Sequence, residues 1–494
     1  MRLSYTMRTG LTGVGRRLAF FGIAALWVVG CTSEKTRGDD DATCEPGTER
    51  CPCDEGACDA GLSCLSKVCV RATGGAAGAG GTQEGGRAGT AMGGSAGTGG
   101  TADSGAGGAS STAAGASSTA AGDRFVATTG ADRGDCSSDP CSTLRYAGTR
   151  MRPGETLVVD DGTYEDSIGN DTFPRGAASG YTRVVARHAG AVTIKGGLEL
   201  YDDSEFYLDL DGLRFVDDET KQVAGGHVRL VGDSFVGGPA DGNAAVLSIG
   251  TNDWAPGAWN IEVSDALVYG RGGRYDVLVY RASDVSLTRL VARKDGGWSG
   301  DDQSNPEGVV IFYESSRCVC DRCVVLDSIS ESRAETLGGI IINSHDAKLS
   351  TDTEIRASVV IDSDYPGITL EGHGDVNDAR IIDSYASGNS SNGVTLNVGG
   401  DVTITRLTAI ANEGDGIANY GDITASSSDC LLRDNGGEDL RGVPGTASGR
   451  GAAPIDFAGF DQVRIRRELC ASETRGFCGG SLDFAQHVMA RALR

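Results

Sequence analysis

Two of the chain's five histidines, His345 and His373, stand 28 residues apart, and each follows a short apolar run that ends in a polar residue. The polar residues are Asn343 and Glu371, two positions before the histidines. A carboxyl group beside imidazoles can have a shifted pKa and transfer protons near neutral pH. We therefore predict Glu371, His373 and His345 as the catalytic residues of an acid–base site.

Outward positions of neighbouring runs supply further side chains that could bind a ligand. They form two predicted columns, the first with Phe312, Asn343, Glu371 and Asn397 and the second with Glu314, His345 and His373. Within these columns we predict Glu314, Asn343 and Asn397 as ligand-binding residues. A structural interpretation stays open, because stacked asparagine and histidine side chains also form ladders that only stabilise a repeat.

An acidic segment before Val309 is a candidate metal site. It follows Lys294 and contains Asp295, Asp301, Asp302 and Glu307. Carboxylate oxygens are the hard ligands that Ca²⁺ prefers, so these four acids could bind calcium, the one cofactor that the sequence suggests. The alternative is an acidic turn that is simply solvated.

Six short apolar runs must position these residues. The runs begin 32, 31, 28, 26 and 23 residues apart, at Val277, Val309, Ile340, Ile368, Val394 and Ile417. Several are introduced by a glycine, and a second short strand follows each one. Since side chains alternate along a strand, the first and third residues of each run should point inward and the second and fourth outward.

The spacing of the runs indicates the fold class. Short strands repeated at these intervals suit the coils of a parallel β-helix, whereas βαβ units need a helix and propeller blades are about 40 residues long. An antiparallel sandwich remains an alternative. The segment is also too long for one ordinary globular core and natural for a solenoid. We predict an all-β fold, a parallel β-helix over residues 123–494.

Several motifs resemble those of pectate-lyase-like right-handed parallel β-helix proteins. Pro140-Cys-Ser-Thr143, Pro153-Gly-Glu-Thr156 and Asp161-Gly-Thr-Tyr164 look like the N-terminal cap of that family, and Val192-Thr-Ile-Lys-Gly196 and Leu210-Asp-Gly-Leu-Arg-Phe215 look like its first coils. The resemblance covers most of residues 123–440. It implies the right-handed fold but no single activity, because members include polysaccharide lyases, glycoside hydrolases, adhesins and proteins without a known reaction.

The resemblance also implies which residues an enzyme of this fold would use. Its lyases pair a lysine or arginine base with calcium-binding acids, and its glycosidases carry close aspartate pairs. The two predicted columns contain neither arrangement. Whether the chain is an enzyme therefore stays open, and a lyase or a glycoside hydrolase would be the expected kind.

The open ends of a β-helix need covers, because they expose apolar side chains and unpaired strand edges. At the N-terminal end, Leu144, Ala147 and Met151 are spaced to lie on one face of a short helix within 142–151. At the other end we predict a similar C-terminal cap over 482–493.

The N-terminus has the pattern of an export signal. Residues 1–30 contain four arginines, no acidic residue and an apolar stretch from Leu18 to Val29 that is short for a membrane span. The sequence Val28-Val-Gly-Cys31 resembles the lipobox of bacterial lipoproteins, which implies cleavage before Cys31 and lipidation (palmitate) of that cysteine. An uncleaved anchor or a plain signal peptide is the alternative. Thr32 in place of an aspartate favours the outer membrane or cell surface by the same resemblance.

Three segments separate the anchor from the β-helix. Residues 31–43 are proximal to the anchor, and residues 44–71 contain six cysteines, too short a module to be stable without cross-links. Disulfide bonds are favoured over zinc there because the module has no histidine. Residues 72–122 are almost wholly glycine, alanine, serine and threonine, which predicts a disordered linker.

Export affects how the other cysteines and the charge are interpreted. We predict local disulfides for Cys136 with Cys141 and Cys470 with Cys478, and a disulfide in place of a metal within 318–323. A net charge of −24 argues against nucleic acid as a partner. The hypothesis is a monomeric, surface-tethered lipoprotein that binds, and as an enzyme would cleave, polysaccharide or cell-surface glycan. The alternative is a non-catalytic adhesion or scaffold protein.

Overall fold

A computed structural model describes residues 62–65, 68–71, 123–239, 244–251, 257–270, 273–294, 308–328, 338–345, 350–470 and 476–493. The chain divides into two compact units, Met1–Gly100 and Thr101–Arg494. In the first unit, the strands Leu62–Leu65 and Val68–Arg71 form an antiparallel hairpin within the predicted cysteine-rich module. The predicted signal peptide, Cys31 and the predicted linker 72–122 lie outside the described residues.

The second unit has three parallel sheet faces that run along a stack of coils, and two long bent strands join the first two faces, here sheets A and B, into one continuous sheet. Sheet A contains Ile168–Gly169, Leu198–Leu200, Lys221–Val223, Ala245–Gly250, Tyr275–Tyr280, Gly308–Tyr313, Gly338–Ser344, the first parts of Ile368–Ile382 and Val394–Thr405, Ile417–Asn419 and Leu440–Arg441. Sheet B contains Arg124–Val126, Thr156–Val159, Thr182–Ala186, Glu205–Asp211, Gly225–Val231, Ala258–Ser264, Ser283–Thr288, Val319–Asp321, Ser350–Thr351, Glu354–Arg356, the second parts of the two long strands and Thr424–Ser428. Sheet C contains Gly162–Tyr164, Val192–Ile194, Leu213–Asp217, Ser234–Gly237, Leu267–Gly270, Val291–Lys294, Val324–Leu326, Val359–Ile361, Tyr385–Ser387, Thr408–Ile410 and Leu431–Arg433.

Each coil passes through the three sheets in turn and pairs in parallel with the coil before and after it. Ile340 pairs with Ile368, and Ile368 pairs with Val394, on adjacent parallel strands of sheet A. The inward residues of these strands, such as Leu370 and Leu396, are fully buried in one apolar core that runs through the stack. The prediction of an all-β, right-handed parallel β-helix is confirmed.

The predicted register is wrong by one residue at a single strand. Val310, and not Val309, pairs with Ile340. Phe312 consequently packs into the core, and Tyr313 takes the outward position that we assigned to Phe312. The error arises at Gly338-Gly339, because either glycine could be aligned with Gly308, and the structure pairs Gly308 with Gly338. A shift of one residue moves every side chain of a strand to the opposite face.

A short helix covers the N-terminal end of the stack, as predicted. It spans Leu144–Gly148, and the side chain of Thr143 accepts a hydrogen bond from the Tyr146 amide at its N-terminus. Leu144, Ala147 and Met151 are buried in the same apolar core as the first coils. The helix therefore removes an apolar surface that the first coil would otherwise expose.

The C-terminal helices lie on the side of the stack, which corrects the predicted end cap at 482–493. The helices Gln462–Leu469, Gly476–Gly479 and Phe484–Ala492 share an apolar cluster with the outer face of sheet C. The edge of the last coil is covered by residues 444–449 instead. Leu432 donates a backbone hydrogen bond to Ala447, Gly449 donates one to Cys430, and Leu431 pairs antiparallel with Ser448. Sequence periodicity shows which face of a helix is apolar but not which surface it covers.

Corner residues with positive φ join the sheets. At the corner between sheets A and B, for example, Asn260, Asp284 and Arg317 have φ of 52°, 57° and 54°. Residues at one corner of neighbouring coils lie above one another, so opposite charges pair, as Arg317 does with Asp284 at 2.7 Å. Glycine, asparagine and aspartate adopt this conformation at the lowest cost, which explains their frequency between the predicted strands.

The described cysteines agree with an oxidised domain. Disulfide bonds join Cys136 to Cys141, Cys320 to Cys323 and Cys470 to Cys478. These are the two local pairs that we predicted and the disulfide expected within 318–323. Cys318 and Cys430 are buried free thiols. Among the described residues, no helix is both long enough and apolar enough to cross a membrane.

Candidate functional site

Sheet A brings together most of the residues of the first predicted column. Tyr313, Asn343, Glu371 and Asn397 are successive partners across four coils. The Asn343 side-chain amide donates a hydrogen bond to Glu371 Oε1 over 2.8 Å. Asn397 lies exposed on the next coil. The predicted positions of Asn343, Glu371 and Asn397 are thus confirmed, and Phe312 is replaced by Tyr313.

Glu371 has an unusual environment for a carboxyl group. Its side chain points outward from sheet A, yet the residue is only 7% exposed. Burial raises its pKa to about 7, against the opposing influence of the Asn343 hydrogen bond and the positive charge of Arg274. A carboxyl group with this pKa is protonated and ionised in comparable amounts at neutral pH, which is the condition for efficient acid–base catalysis.

Two buried polar atoms beside Glu371 have unused hydrogen-bonding capacity. Asn343 Oδ1 and Thr369 Oγ1 have no hydrogen-bond partner among the described residues. Thr369 lies two residues before Glu371 on the same face of the strand, and both Asn343 and Thr369 are less than a tenth exposed. Buried polar atoms are almost always hydrogen bonded in folded proteins. Both atoms are covered by protein, so their unused capacity adds to the low polarity around the Glu371 carboxyl.

Arg274 and Tyr275 belong to the site, and our reading of the sequence missed both. The Arg274 guanidinium carbon lies 5.5 Å from the centre of the Tyr275 ring. Burial raises the pKa of Tyr275 above its ordinary value, and the charge of Glu371 contributes to that rise, which places the two groups in one neighbourhood. No repeat revealed Tyr275, because its partners on the next two coils are Gly308 and Gly338.

The two histidines extend a row of aromatic rings across four coils. Ring centres are 5.0 Å apart for Tyr280 and Tyr313, 6.3 Å for Tyr313 and His345, and 5.3 Å for His345 and His373. The predicted pairing of His345 with His373 is confirmed. The pKa of Glu371, however, is raised by burial and lowered by the Asn343 hydrogen bond and the Arg274 charge, and the imidazoles are not among these causes. The row therefore fits a stacking surface better than a proton relay.

Gly372 separates Glu371 from His373. Its φ is +132°, and a β-carbon there would lie 1.8 Å from the Ser344 carbonyl oxygen. Glycine is therefore required at this position. It allows the buried carboxyl of Glu371 and the exposed imidazole of His373 to lie two residues apart on one strand.

Glu314 does not join the histidine column. It lies at the corner between sheets A and B with φ of 49°. Its side chain is 3% exposed and forms an ion pair of 2.7 Å with Arg281. The same one-residue shift that moves Phe312 inward accounts for this correction.

The predicted calcium ligands Asp295, Asp301, Asp302 and Glu307 lie outside the described residues, so calcium there stays a prediction. Lys294, which precedes them, is buried, donates a hydrogen bond to the Gly273 carbonyl and forms an ion pair with Asp276 at 3.8 Å.

No protein-family model and no curated protein matches the sequence. Solved structures that resemble it include the A-module of a mannuronan C-5 epimerase from Azotobacter vinelandii, with 12% identity over 61% of this chain and 91% of that chain and a TM-score of 0.31. An alginate lyase from a Paenibacillus species has 14% identity over 63% of this chain and 98% of that chain, with a TM-score of 0.31. A rhamnogalacturonan lyase has 10% identity over 67% and 86%, with a TM-score of 0.29. Likenesses of this size do not transfer an activity or a residue role to this chain.

Proposed function

We propose that the β-helix binds a polysaccharide along sheet A and cleaves it with Glu371 as the proton-transferring group. The observation that carries the proposal is the buried carboxyl of Glu371, with a pKa of about 7, between Asn343 and the charge of Arg274. Such a group can accept a proton from a bound substrate or donate one to it near neutral pH. Arg274 would stabilise negative charge that develops on the substrate nearby.

The rest of the patch supports a saccharide in preference to an apolar ligand. The row of Tyr280, Tyr313, His345 and His373 offers flat faces on which the C–H faces of sugar rings can stack. The exposed side-chain amide of Asn397 on the next coil can hydrogen bond to hydroxyl groups. The row follows the coils, about 4.8 Å for each step, so it suits an extended chain of repeating units.

The hydrogen bond between Asn343 and Glu371 favours a second function, that of a non-catalytic adhesion or scaffold protein. Asn343 and Glu371 are buried and hydrogen bonded to each other on neighbouring coils, as the side chains of a structural ladder would be. A non-catalytic adhesion or scaffold protein would need the patch only for shape and binding. It would bind glycan without releasing a product.

The test is to incubate the full chain with alginate, rhamnogalacturonan and a neutral β-glucan and to measure both binding and released reducing ends or unsaturated products. Glu371→Gln should abolish product release, by at least about a hundredfold for a lost general acid or base, and retain binding. Glu199→Gln is the matched control, because Glu199 is an exposed carboxylate on the same sheet. Full turnover by Glu371→Gln would refute the assignment, and binding without any product would favour the adhesion or scaffold function.

The proposal includes a location. Cys31 would be lipidated, and the linker 72–122 would hold the β-helix at a distance from the outer membrane or cell surface. A flexible chain of about fifty residues has an end-to-end distance of roughly 40 Å. The catalytic unit would then reach polysaccharide around the cell while remaining attached to it.

A further inference from the structure

A second group of aromatic rings lies on the N-terminal coils, away from Glu371. It consists of Tyr181, Tyr207, His227 and Trp259, which we call the aromatic corner. Tyr207 and His227 stack with ring centres 4.3 Å apart and planes 12° from parallel, and Tyr181 meets Tyr207 edge-on at 5.5 Å. All four side chains are partly exposed. Rings that served only the core would be buried completely, as Phe215 and Phe235 are.

Trp259 continues the aromatic corner onto the next coil. It pairs across sheet B with Gly226, and a β-carbon on Gly226 would lie 2.3 Å from the indole ring. The indole therefore covers a residue without a side chain, directly beside His227. A side chain at Gly226 would collide with the indole, so glycine is needed for Trp259 to lie there.

An open cleft of about 450 Å³ begins at Trp259. The small residues Ala258, Ala282 and Ser283 form part of its lining, and the ion pair between Arg281 and Glu314 forms another part. Serine hydroxyls and a charged pair beside a flat ring are the combination that binds a sugar, because the ring stacks while the polar groups hydrogen bond the hydroxyls.

The cleft connects the aromatic corner with the patch on sheet A. The Arg281 guanidinium carbon lies 4.7 Å from the centre of the Tyr280 ring, and Tyr280 begins the row that leads through Tyr313 towards His345 and His373. The coil that contains the strand Thr182–Ala186 and the coil that contains Glu371 are seven coils apart. At the interstrand spacing this separation is roughly 34 Å. Aromatic and polar groups thus follow one path across two sheets.

We propose that the aromatic corner and the cleft form a second saccharide-binding surface, which holds a distant part of the same polysaccharide chain whose other part lies at Glu371. This inference rests on the proposed function and adds to it a requirement for long chains. A short oligosaccharide would occupy only the patch on sheet A. A polymer would gain additional contacts with Trp259, His227 and Tyr207.

The experiment compares full-length polymers with purified trisaccharides of alginate, rhamnogalacturonan and a neutral β-glucan as probes for binding to the full chain. Trp259→Ala should weaken binding of the polymer by about tenfold, the effect of losing one stacked ring, and leave trisaccharide binding unchanged. Trp259→Phe is the matched control, because it keeps a ring and should retain polymer binding.

The outcomes separate the two proposals. Equal polymer binding by Trp259→Ala and the wild type overturns the second surface and leaves the role of Glu371 intact. Loss of polymer binding in Trp259→Ala together with normal turnover in Glu371→Gln supports the second surface and overturns the catalytic role. A wild-type chain that binds none of the polymers overturns both. Equal losses of polymer and trisaccharide binding would also contradict a separate surface.

Discussion

At the scale of single residues, the key feature is the carboxyl group of Glu371, whose pKa is raised to about 7 by burial. Burial removes Glu371 from water, and the Asn343 hydrogen bond and the charge of Arg274 do not replace the hydration that an ionised carboxylate would have there. Proton uptake is therefore linked to folding. Between pH 4.5 and about 7, Glu371 retains a proton in the folded chain that it loses in the unfolded chain.

The first prediction concerns this linkage. The pKa of Glu371 is raised from an ordinary value of 4.5 to about 7, so its contribution to stability is complete below pH 4.5 and is lost as the pH rises to 7. The loss amounts to about 3 kcal/mol. Glu371→Gln cannot ionise, so the wild type and the variant should differ in how their free energies of unfolding change with pH. Urea unfolding at pH 5 and pH 8 measures the difference.

The control for the pH experiment is Glu199→Gln, which removes an exposed carboxylate from the same sheet. It should follow the wild-type pH dependence. Parallel curves for the wild type and Glu371→Gln from pH 4.5 to pH 8 would show that Glu371 ionises normally. The proposed acid–base role would then lose its basis.

Sequence patterns predicted part of the site for a clear reason. Outward positions recur once in every coil, so Asn343, Glu371 and Asn397 could be aligned through the apolar residues beside them. His345 and His373 followed from the same alignment. The patterns could not reveal Tyr275, because Gly308 and Gly338 take its position on the next two coils. Arg274, the residue before it, belongs to neither predicted column.

At the scale of elements, the C-terminal helices are attached to sheet C by a buried ion pair. Asp327 Oδ2 accepts a hydrogen bond from Arg293 Nε over 3.0 Å and another from the Phe477 amide over 2.8 Å. Arg293 also donates to the Leu469 carbonyl over 3.0 Å. Both charged side chains are almost fully buried. The arrangement joins two helices to two neighbouring coils of sheet C.

The second prediction follows from this attachment. Asp327→Ala leaves the Arg293 guanidinium buried without its carboxylate, which should reduce the stability of the helical segment by about 3–5 kcal/mol. Limited proteolysis should then cleave residues 452–493 much faster than in the wild type. The double variant with Arg293→Met should recover most of the loss, because it removes the uncompensated charge.

Asp284→Ala provides the control for the ion-pair experiment. Its partner Arg317 is exposed, so the change should cost less than about 1 kcal/mol and leave proteolysis unaltered. If Asp327→Ala were as resistant to proteolysis as Asp284→Ala, the buried pair would not hold the helices.

At the scale of the whole molecule, the repeat made the fold predictable and the termini less so. Each coil repeats the same inward and outward pattern, so even a shift of one residue at Val309 left the architecture unchanged. Segments that occur once carry no such redundancy. The helix at 144–148 was predicted from its spacing and from family resemblance, whereas the cover at 444–449 has no recognisable pattern.

The third prediction concerns the proposed attachment to a membrane. A lipidated cysteine gains about 0.8 kcal/mol of membrane affinity for each buried CH₂ group. In a bacterial host that processes lipoproteins, the wild-type chain should partition into detergent or membrane fractions. Cys31→Ser should move it to the aqueous fraction. Partition of Triton X-114 extracts measures the change.

Cys44→Ser is the matched control for the partition experiment, since it removes a cysteine of the adjacent module and leaves Cys31 in place. It should remain in the detergent phase. A Cys31→Ser chain that still partitions with the membrane would mean that the apolar stretch 18–29 stays in place as an uncleaved anchor.

The pairing of Tyr313, Asn343, Glu371 and Asn397 across four successive coils has a consequence for how the site forms. These four residues come from four separate coils, so their row forms only when the coils have stacked in register. A change that unstacks one of these coils would also separate Asn343 from Glu371, wherever in the coil the change lies.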